Sequence, residues 1–97
     1  MNRDLALEVL RRVRSALEAR GIRHAGVFGS VARNEAVAAS DVDVVVTPGR
    51  PMDIIDLGGV QTLLEQAFAG FAVDVVVAPV RKAELAEAIE RDKADAF

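Results

Sequence analysis

The chain has 97 residues, a formal net charge of −3, 52 % hydrophobic residues and no cysteine, tryptophan or tyrosine. That composition suits one globular domain, residues 1–97, with a mostly aliphatic core, and it excludes disulfides, thiolate metal sites and cysteine nucleophiles. The acidic balance argues against general nucleic-acid binding, and with a single histidine, His24, any metal must be held mainly by oxygen ligands.

The first ten residues, MNRDLALEVL, lack the apolar region of a signal peptide, and no apolar run approaches the ~18 residues of a membrane span, so a cytoplasmic protein is expected. Residues 4–20 predict an amphipathic helix, with Ala6, Val9, Leu10, Val13 and Leu17 on one face and Gly21 suited to its C-cap. Arg23 to Phe28 reads as a first strand running into Gly29-Ser30. Residues 31–39 read as a short helical turn and a loop. Asp41 to Thr47 reads as a second strand, ended by Pro48-Gly49-Arg50-Pro51. Residues 53–69 predict a second long helix whose buried face carries Leu57, Val60, Leu64 and Phe68. Gly58-Gly59 costs it about 1 kcal/mol per glycine relative to alanine, so an irregularity or a break is expected there. Phe71 to Ala78 is a valine-rich third strand, and residues 82–93 form a last helix with Leu85, Ala86 and Ile89 inward. Strands alternating with helices predict a small α/β (α+β) sheet of about three strands with flanking helices. The second and third strands should run parallel across the intervening helix.

Three carboxylates fall where carboxylates are expensive. Asp41 and Asp43 bracket Val42 at the start of the second strand and, at a period of two, share a face. Asp74 lies within the third strand, where aspartate is depleted. No lysine or arginine alternates with them in those strands. If the two strands are neighbours, the three acids converge at one end of the sheet and call for a divalent cation. Gly29-Ser30, directly after a strand, presents free backbone N–H groups and a hydroxyl to an anion, and Arg33 follows one turn later. The chain lacks the P-loop motif, the dinucleotide-binding glycine motif and the serine-hydrolase elbow.

The stretch Gly29-Ser-Val-Ala-Arg-Asn-Glu-Ala-Val-Ala-Ala-Ser-Asp-Val-Asp43, followed by Asp74, resembles the signature of the DNA polymerase β-like nucleotidyltransferase superfamily. From residue 4 to about 93 the chain resembles its minimal nucleotidyltransferase branch, small proteins often paired with HEPN-domain toxins. The resemblance implies a mixed sheet, Mg²⁺ (or Mn²⁺) dependence and ATP as donor. It implies metal ligation by Asp41, Asp43 and Asp74, with Asp74 also activating the acceptor hydroxyl. The nucleotide-binding set it implies is Gly29, Ser30, Arg33 and Ser40, with a structural anchoring role also open for Arg33. Relatives often carry glycine where this chain has Asn34, and asparagine tolerates the left-handed backbone that a glycine position suggests.

A chain this short has no room for a second domain to hold an acceptor, so the acceptor must come from a partner or a homodimer. The resemblance names a HEPN toxin whose tyrosine would be adenylylated. Two rivals remain at this stage. One is an antitoxin acting by steric masking, docking through the 82–93 helix and the tail ending in Phe97. The other is a small-molecule nucleotidyltransferase acting on acceptors of the aminoglycoside type.

Overall fold

The computed structural model describes residues 1–97. Its elements in chain order are α1 (Arg3–Arg12), α2 (Arg14–Ala19), β1 (Ile22–Phe28), α3 (Gly29–Ala32), β2 (Val42–Pro48), α4 (Ile54–Ala67), β3 (Val73–Val77), α5 (Ala83–Asp92) and β4 (Ala94–Asp95). The sheet has four strands in the order β3-β2-β1-β4. β1 pairs antiparallel with β2 and β4, and β2 pairs parallel with β3. The mixed sheet with flanking helices and the parallel β2–α4–β3 unit agree with the sequence reading; β4 is additional. Two residues carry no periodicity to read, and β4 is held by its place at the edge of β1, where Gly26 leaves room for the Ala94 carbonyl.

Alternation divides the strands between two faces. Ala25 and Val27, Val42, Val44 and Val46, and Val73, Val75 and Val77 pack with Ala6, Leu10 and Leu17 of the first two helices and Val60, Leu64 and Phe68 of the α4 segment. On the opposite face Phe28, Val45 and Ile89 form a smaller cluster with Val76 and Leu85, so α5 lies on the face that also carries Asp43 and Asp74. No helix is long and apolar enough to cross a membrane.

Three expectations change. The helix predicted over 4–20 is divided at Val13, although the Leu17 N–H still donates to the Val13 carbonyl at 2.9 Å. α4 runs unbroken through Gly58-Gly59. Its start is fixed by a capping box in which Asp53 accepts from the Asp56 N–H at 2.8 Å and Asp56 accepts from the Asp53 N–H at 3.2 Å. Burial of Val60 and Leu64 then outweighs the propensity cost of two glycines. The C-terminal tail is not a free docking surface. Ala96 is buried, Phe97 packs on the main core, and the Arg14 guanidinium lies 4.9 Å from the Phe97 ring centroid.

The two helical glycines should respond differently to substitution. A Cβ at Gly58 would meet open space, whereas one at Gly59 would collide with the Arg20 guanidinium. Gly58→Ala is expected to raise stability by about 0.5–1 kcal/mol in urea unfolding. Gly59→Ala should gain less, because Arg20 must move; an equal or larger gain at Gly59 would contradict this packing.

Candidate active site

Parallel pairing sets the centre of the site. Asp43 of β2 and Asp74 of β3 are direct register partners, so their side chains leave the same face side by side. Asp41 precedes β2 by one residue rather than lying within it. The expectation of three costly carboxylates is corrected in part: Asp41 and Asp74 are exposed, and only Asp43 is half-buried. β3 is an edge strand, which leaves Asp74 open to solvent.

The charge is nevertheless concentrated. Burial pushes the Asp43 carboxyl above the ordinary carboxylate range, the nearby charges of Asp74 and Asp41 push it further, and Arg33 alone opposes the rise. This locates Arg33 as the cation that sequence spacing did not connect to the acids. Arg33 is itself engaged: its Nη1 donates to Asp92 Oδ2 at 2.6 Å and its Nε to Glu35 Oε2 at 3.0 Å.

The turn after β1 meets this cluster. Gly29 opens α3 with φ +70°, a left-handed conformation that favours glycine, and a Cβ there would collide with Asp43 Oδ2. Gly29 is therefore required first by the chain's own carboxylate. Ser30 follows, half-buried, and no side chain caps the N-terminus of α3. Asn34 adopts φ 58° and accepts from the Arg3 N–H at 2.9 Å, tying the end of this turn to the chain's N-terminus. Ser40 is placed in the loop before Asp41, where its hydroxyl accepts from the Val37 N–H at 3.0 Å and its N–H donates to the Val37 carbonyl at 2.9 Å. It shapes the approach to Asp41 by closing that turn.

The donor set consists of hard carboxylate oxygens whose negative charge is only partly relieved by Arg33, which fits a divalent cation such as Mg²⁺. It is an open set: no group of three acidic or histidine side chains stands arranged to hold an ion by itself. Such a partial set suits Mg²⁺, which commonly takes one or two carboxylates and completes its shell with phosphate oxygens and water. The pocket of ≈ 430 Å³ between the sheet and α5, lined by His24, Thr47, Ile89 and Lys93 among others, contains none of the three acids.

Comparison with known proteins bears on this geometry. The family model described as "Nucleotidyltransferase domain" matches residues 10–95. A candidate protein adenylyltransferase of Methanocaldococcus jannaschii, MJ0435, is 36 % identical over 69 residues, covering 71 % of this chain and 73 % of that protein. Protein adenylyltransferase MntA of Thermococcus cleftensis is 35 % identical over 72 residues, covering 74 % of this chain and 72 % of that protein. Among solved structures, a candidate minimal nucleotidyltransferase superposes with a TM-score of 0.70 at 32 % identity, over 97 % of this chain and 95 % of that one. The complex of tri-AMPylated HEPN toxin with MNT antitoxin from Shewanella oneidensis contains the same fold, with a TM-score of 0.65 at 16 % identity, over 94 % of this chain and 71 % of that one.

The charge accumulated at Asp43 has a measurable sign. A carboxyl raised by folding gives stability that is present below the ordinary aspartate value of about 3.9 and lost as pH rises through its folded value. In metal-free buffer at pH 7, Asp43→Asn should therefore melt above the wild type, and the gap should close as the buffer is taken below about pH 4. Adding Mg²⁺ with nucleotide should raise the wild-type Tm and leave the variant unmoved. A variant that melts lower at pH 7 would show that Asp43 is a structural residue.

Proposed function

The chain belongs to the nucleotidyltransferase domain family and is an enzyme of its minimal branch; from that premise we propose that it transfers AMP from ATP to a hydroxyl of a partner protein, as the antitoxin of a HEPN-domain toxin. The observation that carries this reading is the register pairing of half-buried Asp43 with exposed Asp74, beside the Gly29-Ser30 turn. The named adenylyltransferase relatives support AMP as the transferred group. The AMPylated toxin in the complex with its MNT antitoxin supports a protein acceptor, with a tyrosine as the proposed target.

In this reading the residues divide the work by exposure. Asp41 and Asp43 would hold Mg²⁺, with Asp74 as a further ligand. Bound there, Mg²⁺ supplies charge neutralisation for the triphosphate and electrophilic activation at the α-phosphorus. Gly29 and Ser30 approach the phosphates through backbone N–H groups and the Ser30 hydroxyl, while Arg33 adds positive charge. Ser40 orders the loop that delivers Asp41. Asp74, exposed on the edge strand, faces the side from which a partner must present its hydroxyl. The acceptor oxygen forms a bond to the α-phosphorus, its proton passes to Asp74, and the bond to the leaving pyrophosphate breaks. Catalysis is then positioning plus charge stabilisation.

The acceptor cannot be a tyrosine of this chain, which has none. A protein acceptor is favoured over a small molecule because Asp74 stands exposed on an edge strand and none of the three acids lines the pocket between the sheet and α5.

The test is transfer from α-labelled ATP with Mg²⁺ to the product of the neighbouring gene, which this reading expects to be a HEPN-domain toxin. Label should appear on that protein, disappear with EDTA, and fall by about a hundredfold or more in Asp41→Ala/Asp43→Ala. Inhibition of the toxin that survives the double substitution, with no label transferred by the wild type, would replace transfer by steric masking.

A further inference from the structure

Asp92 stands where a carboxylate is disfavoured twice. It is the last residue of α5, at the negative end of the helix dipole, and its side chain is only 6 % exposed. Arg33 compensates from 59 positions away in sequence, donating from Nη1 to Asp92 Oδ2 at 2.6 Å, while Arg91 Nε donates to Oδ1 at 3.4 Å. Burial pushes the Asp92 carboxyl up, but the hydrogen bonds from Arg33 and Arg91 outweigh it and hold the group below its ordinary range. The pair ties the C-terminal end of α5 to the residue that ends α3, and so to the Gly29-Ser30 turn.

The geometry of the guanidinium gives this tie a consequence. Nη1 is used by Asp92 and Nε by Glu35, whereas Nη2 has no hydrogen-bond partner in the chain. The same residue caps α3, the short helix whose first residue, Gly29, lies against the Asp43 carboxylate. An arginine with two nitrogens engaged has surrendered much of its rotamer freedom before a ligand arrives, and both hydrogens of Nη2, with the second on Nη1, are left to donate.

We propose that Asp92 is a positioning residue for the nucleotide: by fixing Arg33 between α5 and α3, it leaves Nη2 to donate to the oxygens of a nucleoside triphosphate beside Asp43. This rests on the reading of the acid cluster as a triphosphate site. Asp92 touches neither substrate nor metal in this account and acts only through Arg33. Glu35 is exposed and holds the other nitrogen, so it shares in the same orientation from the solvent side.

The test measures binding of ATP and of AMP, each with Mg²⁺, by displacement of a fluorescent ATP analogue from the full chain. Asp92→Asn should raise the Kd for ATP about tenfold and that for AMP less than about twofold, since AMP lacks the outer phosphates. Asp92→Glu should recover most of the ATP affinity. In an Arg33→Ala background Asp92→Asn should add less than about twofold, because the route through Arg33 is gone. Should Asp92→Asn melt below the assay temperature, Arg33→Lys reads the same pair, keeping the charge but losing the fork, with the same tenfold loss expected. The proposal is overturned if wild type binds ATP and the folded variant binds it equally well. Equal loss for ATP and AMP, or an undiminished effect without Arg33, overturns it too. Wild type that binds no nucleotide would overturn the triphosphate reading itself, a result distinct from either.

Discussion

In-register parallel pairing of β2 with β3 is the constraint on which the site depends. It sets Asp43 against Asp74 and runs Val44, Val45 and Val46 against Val75, Val76 and Val77. A slip of one residue would turn the acids toward the apolar helices and the valines toward solvent. The burial of Val42, Val44 and Val46 therefore enforces the juxtaposition of two like charges that would otherwise separate. The core holds the register, and the register holds the chemistry.

Around that pairing, the chain accumulates negative charge without fully relieving it. The Asp43 carboxyl is desolvated and faces two further acids, with Arg33 alone set against them and already shared with Asp92 and Glu35. Gly29 gives up its Cβ to the Asp43 carboxylate. These features weaken the isolated chain, as expected where a site is built for a ligand rather than for stability. In the proposed reading, the open donor set and the exposed edge strand leave coordination to be completed from outside, by phosphates on one side and by an acceptor on the other.

The sequence was most legible where side chains alternate with a period. The valine-rich strands, the parallel crossover and the Gly21 cap followed from local pattern, and the left-handed Asn34 from the glycine that relatives often carry there. So did the convergence of Asp43 with Asp74, once their strands were taken as neighbours. What stayed hidden depends on tertiary contact. The two residues of β4 have no period, and their place on β1 rests on the absence of a side chain at Gly26. The continuity of α4 through two glycines rests on Val60 and Leu64 being buried. Arg33 was visible as a cation near a turn, but its partner Asp92 belongs to the last helix, and no local signal joins them. The tail ending in Phe97 read as docking surface because what shelters it, the main core and Arg14 near the opposite terminus, is distant in sequence.

In the proposed reading, the carboxylates at the head of β2 and β3 form an incomplete cation site that a triphosphate completes. The most direct measurement is a Mn²⁺ titration followed by electron paramagnetic resonance, with and without a non-hydrolysable ATP analogue. Weak Mn²⁺ binding is expected for the protein alone, at least about tenfold tighter binding when the analogue is present than protein or analogue gives separately, and loss of that enhancement in Asp43→Asn. Tight binding without nucleotide, or an enhancement that survives the loss of Asp43, would contradict it.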